Sequence, residues 1–219
     1  VGRHLVALGH DVEGRRVVAG AVVLDGREAA LHPVAPFWLI RHGETPWNAG
    51  RLIMGQRDIP LNATGEDQAR AAADGVARAG LRAGLVWTSP LTRARATADA
   101  MAAATGLPLR VMPGLRERDW GDLVGTPADT RPGDHETPPG GEPWPVFVRR
   151  AATAVACCTR ATPWPWPPLI VAHAGIQRAL RAYLGLPAHR ERIPHAAPVL
   201  FDRGADGAWR AVVAGQPAM

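Results

Sequence analysis

Lysine is absent: all 25 basic residues of this 219-residue chain are arginine. The arginines are scattered, with no basic run and no interleaved aromatics, which excludes the electrostatic footprint of a nucleic-acid surface. Two readings of the excess, a formal net charge of +5, stay open. One is a composition that uses arginine in place of lysine; the other is a preference for anionic ligands. Cysteine is scarce as well. Cys157 and Cys158 are neighbours, and adjacent Cα atoms lie about 3.8 Å apart, below the usual disulfide window, so no mutual bridge is expected. No apolar run approaches the roughly 20 residues that span a bilayer. Val1-Gly2-Arg3-His4 does not lead into an apolar stretch with a small-residue cleavage site. No signal peptide is therefore expected, and a reducing cytoplasm is the expected setting. His4, His10 and His32 share no metal-ligand spacing, and no carboxylate cluster suggests a metal.

What is present is a hydrophobic content of 47% with 21% charged residues, which suits a globular chain with a real core. Residues 1–36 stand apart. "RRVVAGAVVL", Asp25-Gly26 and "REAALHPV" read as a β-hairpin of unknown function. From Phe37 to the end, strands and helices alternate, which predicts α/β with a mostly parallel sheet. "PFWLI" is a strand. "ATGEDQARAAADGVARAG" is a helix with Thr64 and Asp67 in capping-box positions and Gly80 near its end. "GLVWTS" is a strand. The helix after it takes Ser89 as N-cap, Pro90 at N1, Gly106 as its stop, and Leu91, Ala94, Ala98, Met101 and Ala102 as its apolar stripe. "LPLRVM", "PPLIVA", "PVLFDR" and "AWRAVV" are further strands. "PVFVRRAATAVACCTRA" and "IQRALRAYLG" are further helices, and residues 121–145 are irregular.

Ligands of open α/β sheets bind at the carboxyl ends of the strands. There stand Arg41-His42-Gly43, the helix carrying Arg93 and Arg95, and His173-Ala174-Gly175. "LRERDWG" adds Arg116, Glu117, Arg118 and Asp119. Arg93 lies in the first turn of its helix, where the macrodipole disfavours a cation by about 0.3–1 kcal/mol and an anion would reverse the argument. Two histidines and two arginines at one point suit a tetrahedral dianion. A neutral imidazole can attack phosphorus, and guanidinium matches phosphate oxygens. A glycine directly after the first histidine, and one residue further on from the second, is expected to let backbone approach the ligand.

"LIRHGETPWN", "GQRDIPLNATG", "TSPLTRARATA", "LRERDWG", "PPGGE" and "VAHAGIQRAL" together resemble the histidine phosphatase superfamily, the phosphoglycerate-mutase-like fold, over residues 37–213. The resemblance implies a three-layer α/β/α sandwich, with residues 37–219 as the catalytic domain. It implies that His42 is the nucleophile that becomes phosphorylated. It also implies that Arg41, Arg93 and His173 hold the phosphoryl group, that Asn48 contacts it, and that Glu117 gives a proton to the leaving group. Ala174 stands where the family usually has glycine, with its N–H still available to the substrate. Val124 stands where the family often has an acid. The family's mutases resemble longer chains with a large insertion after the acid. The short segment between Gly121 and Phe147 therefore suggests the phosphatase branch: a metal-independent phosphomonoesterase for a small phosphorylated metabolite, without a cofactor. The alternatives are mutase-type transfer and a non-catalytic phosphate-ester-binding protein. The sequence leaves the substrate and the oligomeric state open.

Overall fold

The computed structural model describes residues 35–163, 165–188 and 193–214, together with the backbone of four short strands before them. Those strands are β1 (Ala7–His10), β2 (Arg16–Val18), β3 (Ala21–Leu24) and β4 (Arg27–Ala30), consecutive neighbours in an antiparallel sheet of their own. The expected hairpin is the β3–β4 pair, in which Leu24 lies opposite Arg27. Its turn, Asp25-Gly26, falls outside the described residues. The stretch read as one strand divides into β2 and β3.

The rest of the chain runs β5 (Phe37–Arg41), α1 (Pro46–Ala49), α2 (Ala63–Arg78), β6 (Leu85–Thr88), α3 (Thr92–Thr105), β7 (Leu109–Val111), α4 (Trp144–Ala161), β8 (Pro168–Ala172), α5 (Ala174–Tyr183), β9 (Pro198–Arg203) and β10 (Trp209–Val213). Six strands form one sheet in the order β10-β9-β5-β8-β6-β7. The β5, β8, β6 and β7 strands are parallel, and β9 and β10 add antiparallel pairs at one side. Successive side chains of a strand point to opposite faces, and the two apolar clusters divide accordingly. Phe37, Leu39, Ile170 and Ala172 pack with Phe147, Val155, Ile176 and Leu180 of α4 and α5. Ile40, Leu169 and Val171 pack with Val76, Ala98 and Met101 of α2 and α3. The result is the expected three-layer α/β/α sandwich. Cys157 and Cys158 are both buried in α4 and are not bonded to each other. Among the described residues no helix is long and apolar enough to cross a membrane.

Two caps differ from the expectation. The N-cap of α2 is Asn62, whose side chain accepts from the Gly65 N–H at 2.8 Å, so Thr64 and Asp67 lie inside the helix rather than forming its box. Asn62 also donates to the Glu44 carboxylate at 2.9 Å, which ties α2 to the loop after β5. The N-cap of α3 is Leu91, without a side-chain cap. Asp58 comes in from another loop and accepts from the Thr92 N–H and hydroxyl, each at 2.8 Å. That carboxylate, not Ser89, meets the positive end of α3. Gly106 ends α3 as expected, with φ at 69°.

The loop after β5 owes its path to a glycine pair. A Cβ on Gly43 would strike the Gly65 carbonyl, and a Cβ on Gly65 would strike the Glu44 backbone. The room beside Gly43 is therefore filled by the start of α2, not kept for a ligand. Gly65→Ala forces these backbones apart and is expected to cost about 1–3 kcal/mol, as overpacking does, lowering Tm by roughly 2–12 °C. Gly75, in the same helix, has open space at its Cβ. Gly75→Ala is expected to leave Tm unchanged or raise it, through helix propensity worth up to about 1 kcal/mol. Thermal unfolding of the two variants checks this; equal shifts would contradict it.

Candidate active site

The site begins with strand register. Arg41 lies beside Ala172 in the parallel β5–β8 pair, and the His42 N–H continues the ladder to the Ala172 carbonyl at 3.0 Å. The residues that follow each strand, His42 and His173, therefore emerge side by side, with ring centroids 5.2 Å apart. From β5 the chain proceeds to α2 on one face; from β8 it proceeds to α5 on the other. A crevice opens where neighbouring strands send the chain in opposite directions. It holds a cavity of about 470 Å³ whose walls include Arg41, His42, Asn48, Arg93, Glu117 and Ala174. Of the seven site residues expected from sequence, six line this cavity. The seventh, His173, lies against His42.

The His42 Nδ1 is 2.6 Å from the Gly43 carbonyl. A carbonyl only accepts, so Nδ1 carries the proton and Nε2 keeps its lone pair. Burial pushes the His42 pKa well below 6.5, reinforced by Arg93 and then Arg41 and opposed by the Gly43 bond. His173 is likewise held neutral by burial first and Arg93 second. Its Nε2 meets Ser89 Oγ at 2.8 Å. Ser89 Oγ accepts the Leu91 N–H, so its own hydrogen is available to Nε2. With Ser89 donating there, the proton of the neutral ring sits on Nδ1, a buried atom with no hydrogen-bond partner.

The guanidiniums are fixed by carbonyls. Arg93 donates to the Arg57 and Gly55 carbonyls, each at 2.8 Å, and is 1% exposed. Burial lowers its pKa to about 10, partly offset by Glu117 and Asp58, so it stays charged at neutral pH. Arg41 donates to the Ile193 carbonyl at 2.6 Å. Asn48 closes a capping box with Thr45: its Oδ1 accepts from the Thr45 N–H, which leaves Nδ2 as the donating end of the amide.

Glu117 bridges two segments. One carboxylate oxygen accepts from the Arg118 N–H at 2.8 Å, the other from the Gly175 N–H at 3.0 Å. A Cβ on Gly175 would strike this carboxylate. The second glycine, like the first, is filled by protein rather than kept for a ligand. Arg118 holds the irregular segment below by donating to the Glu142, Asp134 and Glu136 carbonyls. Within that segment are two single 3-10 turns, Gly121–Leu123 and Ala128–Thr130. Arg150 grips the Glu142 carboxylate with two nitrogens, at 2.6 and 2.9 Å, and also takes the Glu117 carbonyl. The "PPGGE" motif thus steadies the segment that carries Glu117. Val124 is not part of the cavity wall.

Sequence reasoning missed a strap across the two residues that end β5. The Ala196 N–H donates to the Arg41 carbonyl and His195 Nδ1 to the His42 carbonyl, both at 2.8 Å, while the Ile193 carbonyl takes Arg41. Ala196 adopts a φ of 53°, unfavourable for a residue with a Cβ. No local pattern announces His195, because its partner is 153 positions away. Arg178 was also missed, although it sits four residues beyond Ala174 and hence on the same helix face.

Buried neutral histidines make stability depend on pH. Their folded pKa values lie below 6.5, so below about pH 6.5 the unfolded chain binds more protons than the fold. Their contribution is present above that value and lost as pH falls towards the folded pKa, at up to about 1.4 kcal/mol per pH unit for each ring. His42→Asn removes one such group. Urea unfolding at pH 5, 6 and 7 should give a shallower acid loss in this variant than in the parent; parallel profiles would contradict the assignment.

Comparison with known proteins agrees with this geometry. Residues 37–200 match the model of the histidine phosphatase superfamily (branch 1). A probable phosphoglycerate mutase of Yersinia enterocolitica is 37% identical, over 71% of this chain and 77% of the relative. An uncharacterized phosphatase of Bacillus subtilis is 44% identical over 42% of this chain and 47% of its own length. Among solved structures, a mycobacterial glucosyl-3-phosphoglycerate phosphatase in complex with VO3 aligns with a TM-score of 0.71 at 29% identity, covering 85% of this chain and all of that one. With its two strand-end histidines, its arginines and its sandwich in the family's order, the chain belongs to the histidine phosphatase superfamily.

Proposed function

We propose that this chain is a phosphomonoester hydrolase that works through a phosphohistidine and needs no metal ion. The observation that carries the reading is the His42 ring. It is neutral, its proton is committed to the Gly43 carbonyl, and its Nε2 lone pair belongs to a cavity walled by Arg41 and Arg93. The phosphoryl dianion docks on these guanidiniums, on His173 Nδ1–H, on Asn48 Nδ2 and on the first N–H groups of α5, at Ala174. The His42 Nε2 lone pair forms the N–P bond while the P–O bond to the leaving group breaks. The leaving oxygen takes the pair and a proton from the Glu117 carboxyl. Water then attacks phosphorus and gives its proton to Glu117, and the N–P pair returns to Nε2. Phosphoryl transfer depends mainly on position and charge, and these residues supply both.

Mutase chemistry is the second reading, favoured by the name of the Yersinia relative. It needs a phosphoenzyme shielded from water. Here the cavity runs out to exposed Arg51 and Ala128 under a segment with only two 3-10 turns, which favours water as the acceptor. On this reading residues 1–36 are dispensable for the chemistry.

The test uses EDTA-treated protein with propyl phosphate, 4-nitrophenyl phosphate, and 3-phosphoglycerate with a bisphosphate primer. Inorganic phosphate is the expected product of all three. Isomerised phosphoglycerate without phosphate release would make the chain a mutase, and a requirement for added divalent ion would overturn metal independence. Glu117→Gln then isolates the acid. The amide can accept from only one of the Arg118 and Gly175 N–H groups, so some loss is common to both esters. A positioned acid typically contributes about 10²–10⁴-fold. Propyl phosphate, with a basic leaving group, should lose most of that in single-turnover phosphorylation, and the nitrophenyl ester much less. Equal losses would assign Glu117 a structural role.

A further inference from the structure

The outer half of the same cavity carries more positive charge than a phosphoryl group alone uses. Besides Arg41 and Arg93, its wall includes Arg51, Arg131 and Arg178. Two carboxylates act on this group: Glu117 from the inner wall, and Asp134, which stands between Arg131 and Arg178. Asp134 lies 3.8 Å from Arg131 Nη2 and 3.8 Å from Arg178 Nε. Both distances exceed the range of a hydrogen bond, and the buried Asp134 Oδ1 and Arg178 Nε make none. Arg51 makes no ion pair among the described residues. It sits at a φ of 54°, a left-handed conformation that costs a residue with a Cβ about 1 kcal/mol or more and recurs at functional positions.

This is not a solvated surface. The Arg131 and Arg178 side chains are 32% and 25% exposed. Burial, followed by the charge of Arg178, lowers the pKa of Arg131 and outweighs the opposing pull of Asp134 and Glu117. Arg131 also lies over the Trp120 ring, 5.3 Å from its centroid, and that ring is part of the cavity wall. Arg178 follows Ala174 by four residues, so the two lie on one face of α5 about one turn, or roughly 6 Å, apart along the axis. The phosphoryl site is at the Ala174 end.

We propose that the substrate carries a second anionic group, a carboxylate or another phosphoryl, about one helical turn from the scissile phosphate, received by Arg131 and Arg178 with Arg51 at the rim. The inference rests on the phosphatase reading for the place of the first anion. Asp134 holds the two inner guanidiniums apart and leaves them net cationic, so that an incoming anion can take the hydrogen bonds they do not make to each other's partner. A phosphomonoester of a neutral alcohol fills only the inner half of the site.

Binding of phosphonates, which no phosphatase cleaves, tests this independently of turnover. Calorimetry at fixed physiological salt compares propylphosphonate, 3-phosphonopropanoate and propane-1,3-diylbisphosphonate. The parent protein is expected to bind at least one of the doubly anionic ligands about tenfold tighter than propylphosphonate, and no less than threefold. A larger gain for the carboxylate or for the bisphosphonate identifies which second anion fits. In Arg131→Gln/Arg178→Gln the preference should collapse. A preference below threefold in the parent overturns the inference without any variant being needed, and a preference that survives in a folded double variant overturns the assignment to these residues. Hydrolysis of the matching esters is measured alongside. Preference without hydrolysis of any ester leaves the subsite standing and removes the phosphatase reading; hydrolysis without preference does the reverse.

Discussion

The site depends on one constraint, the register of two parallel strands. Because β5 and β8 pair with Arg41 beside Ala172, the next residue of each is a histidine at the same height of the sheet. The apolar runs that precede them alternate between two helical layers and are buried on both faces. A slip of one residue would put each strand's apolar set on the wrong layer. Hydrophobic burial therefore sets the spacing of the two rings, and the histidines need no direct bond to each other.

Charge is the second principle. Arg93 is anchored on two carbonyl oxygens and Arg41 donates to a third. The carbonyls fix the Arg93 guanidinium without cancelling its charge, so the pocket holds positive potential at low dielectric, where it acts most strongly on an entering anion. The same potential, added to burial, keeps His42 and His173 neutral. One arrangement thus favours an entering anion and preserves the lone pair of His42 Nε2. Elsewhere the chain uses arginine differently. Arg150 is matched by the Glu142 carboxylate and locks the loop that bears Glu117.

Much of this was legible in the sequence. The strands announced themselves as apolar runs, and the strand-end pattern located His42, His173, Arg41 and Arg93. Other features depend on contacts between distant residues, and local patterns do not carry them. Asp58 caps α3 from a loop 34 positions away. Gly43 and Gly65 are explained by each other, and Gly175 by Glu117. Each glycine invited a ligand-based reading because the partner filling its empty side was invisible. His195 and Ile193 act through backbone hydrogen bonds across the whole fold, which no spacing rule foretells. Arg178 was within reach of the four-residue periodicity of α5, had the helix been followed one turn past Ala174.

The central claim is that His42 carries the phosphoryl group. The most direct measurement mixes the protein with substrate for milliseconds, quenches without acid and maps phosphate onto peptides by mass spectrometry. The account predicts phosphate on His42, in the peptide containing "RHGETPWN", formed before inorganic phosphate appears. Phosphate on His173 or on a hydroxyl side chain, or release of phosphate with no covalent species in the first turnover, would contradict it.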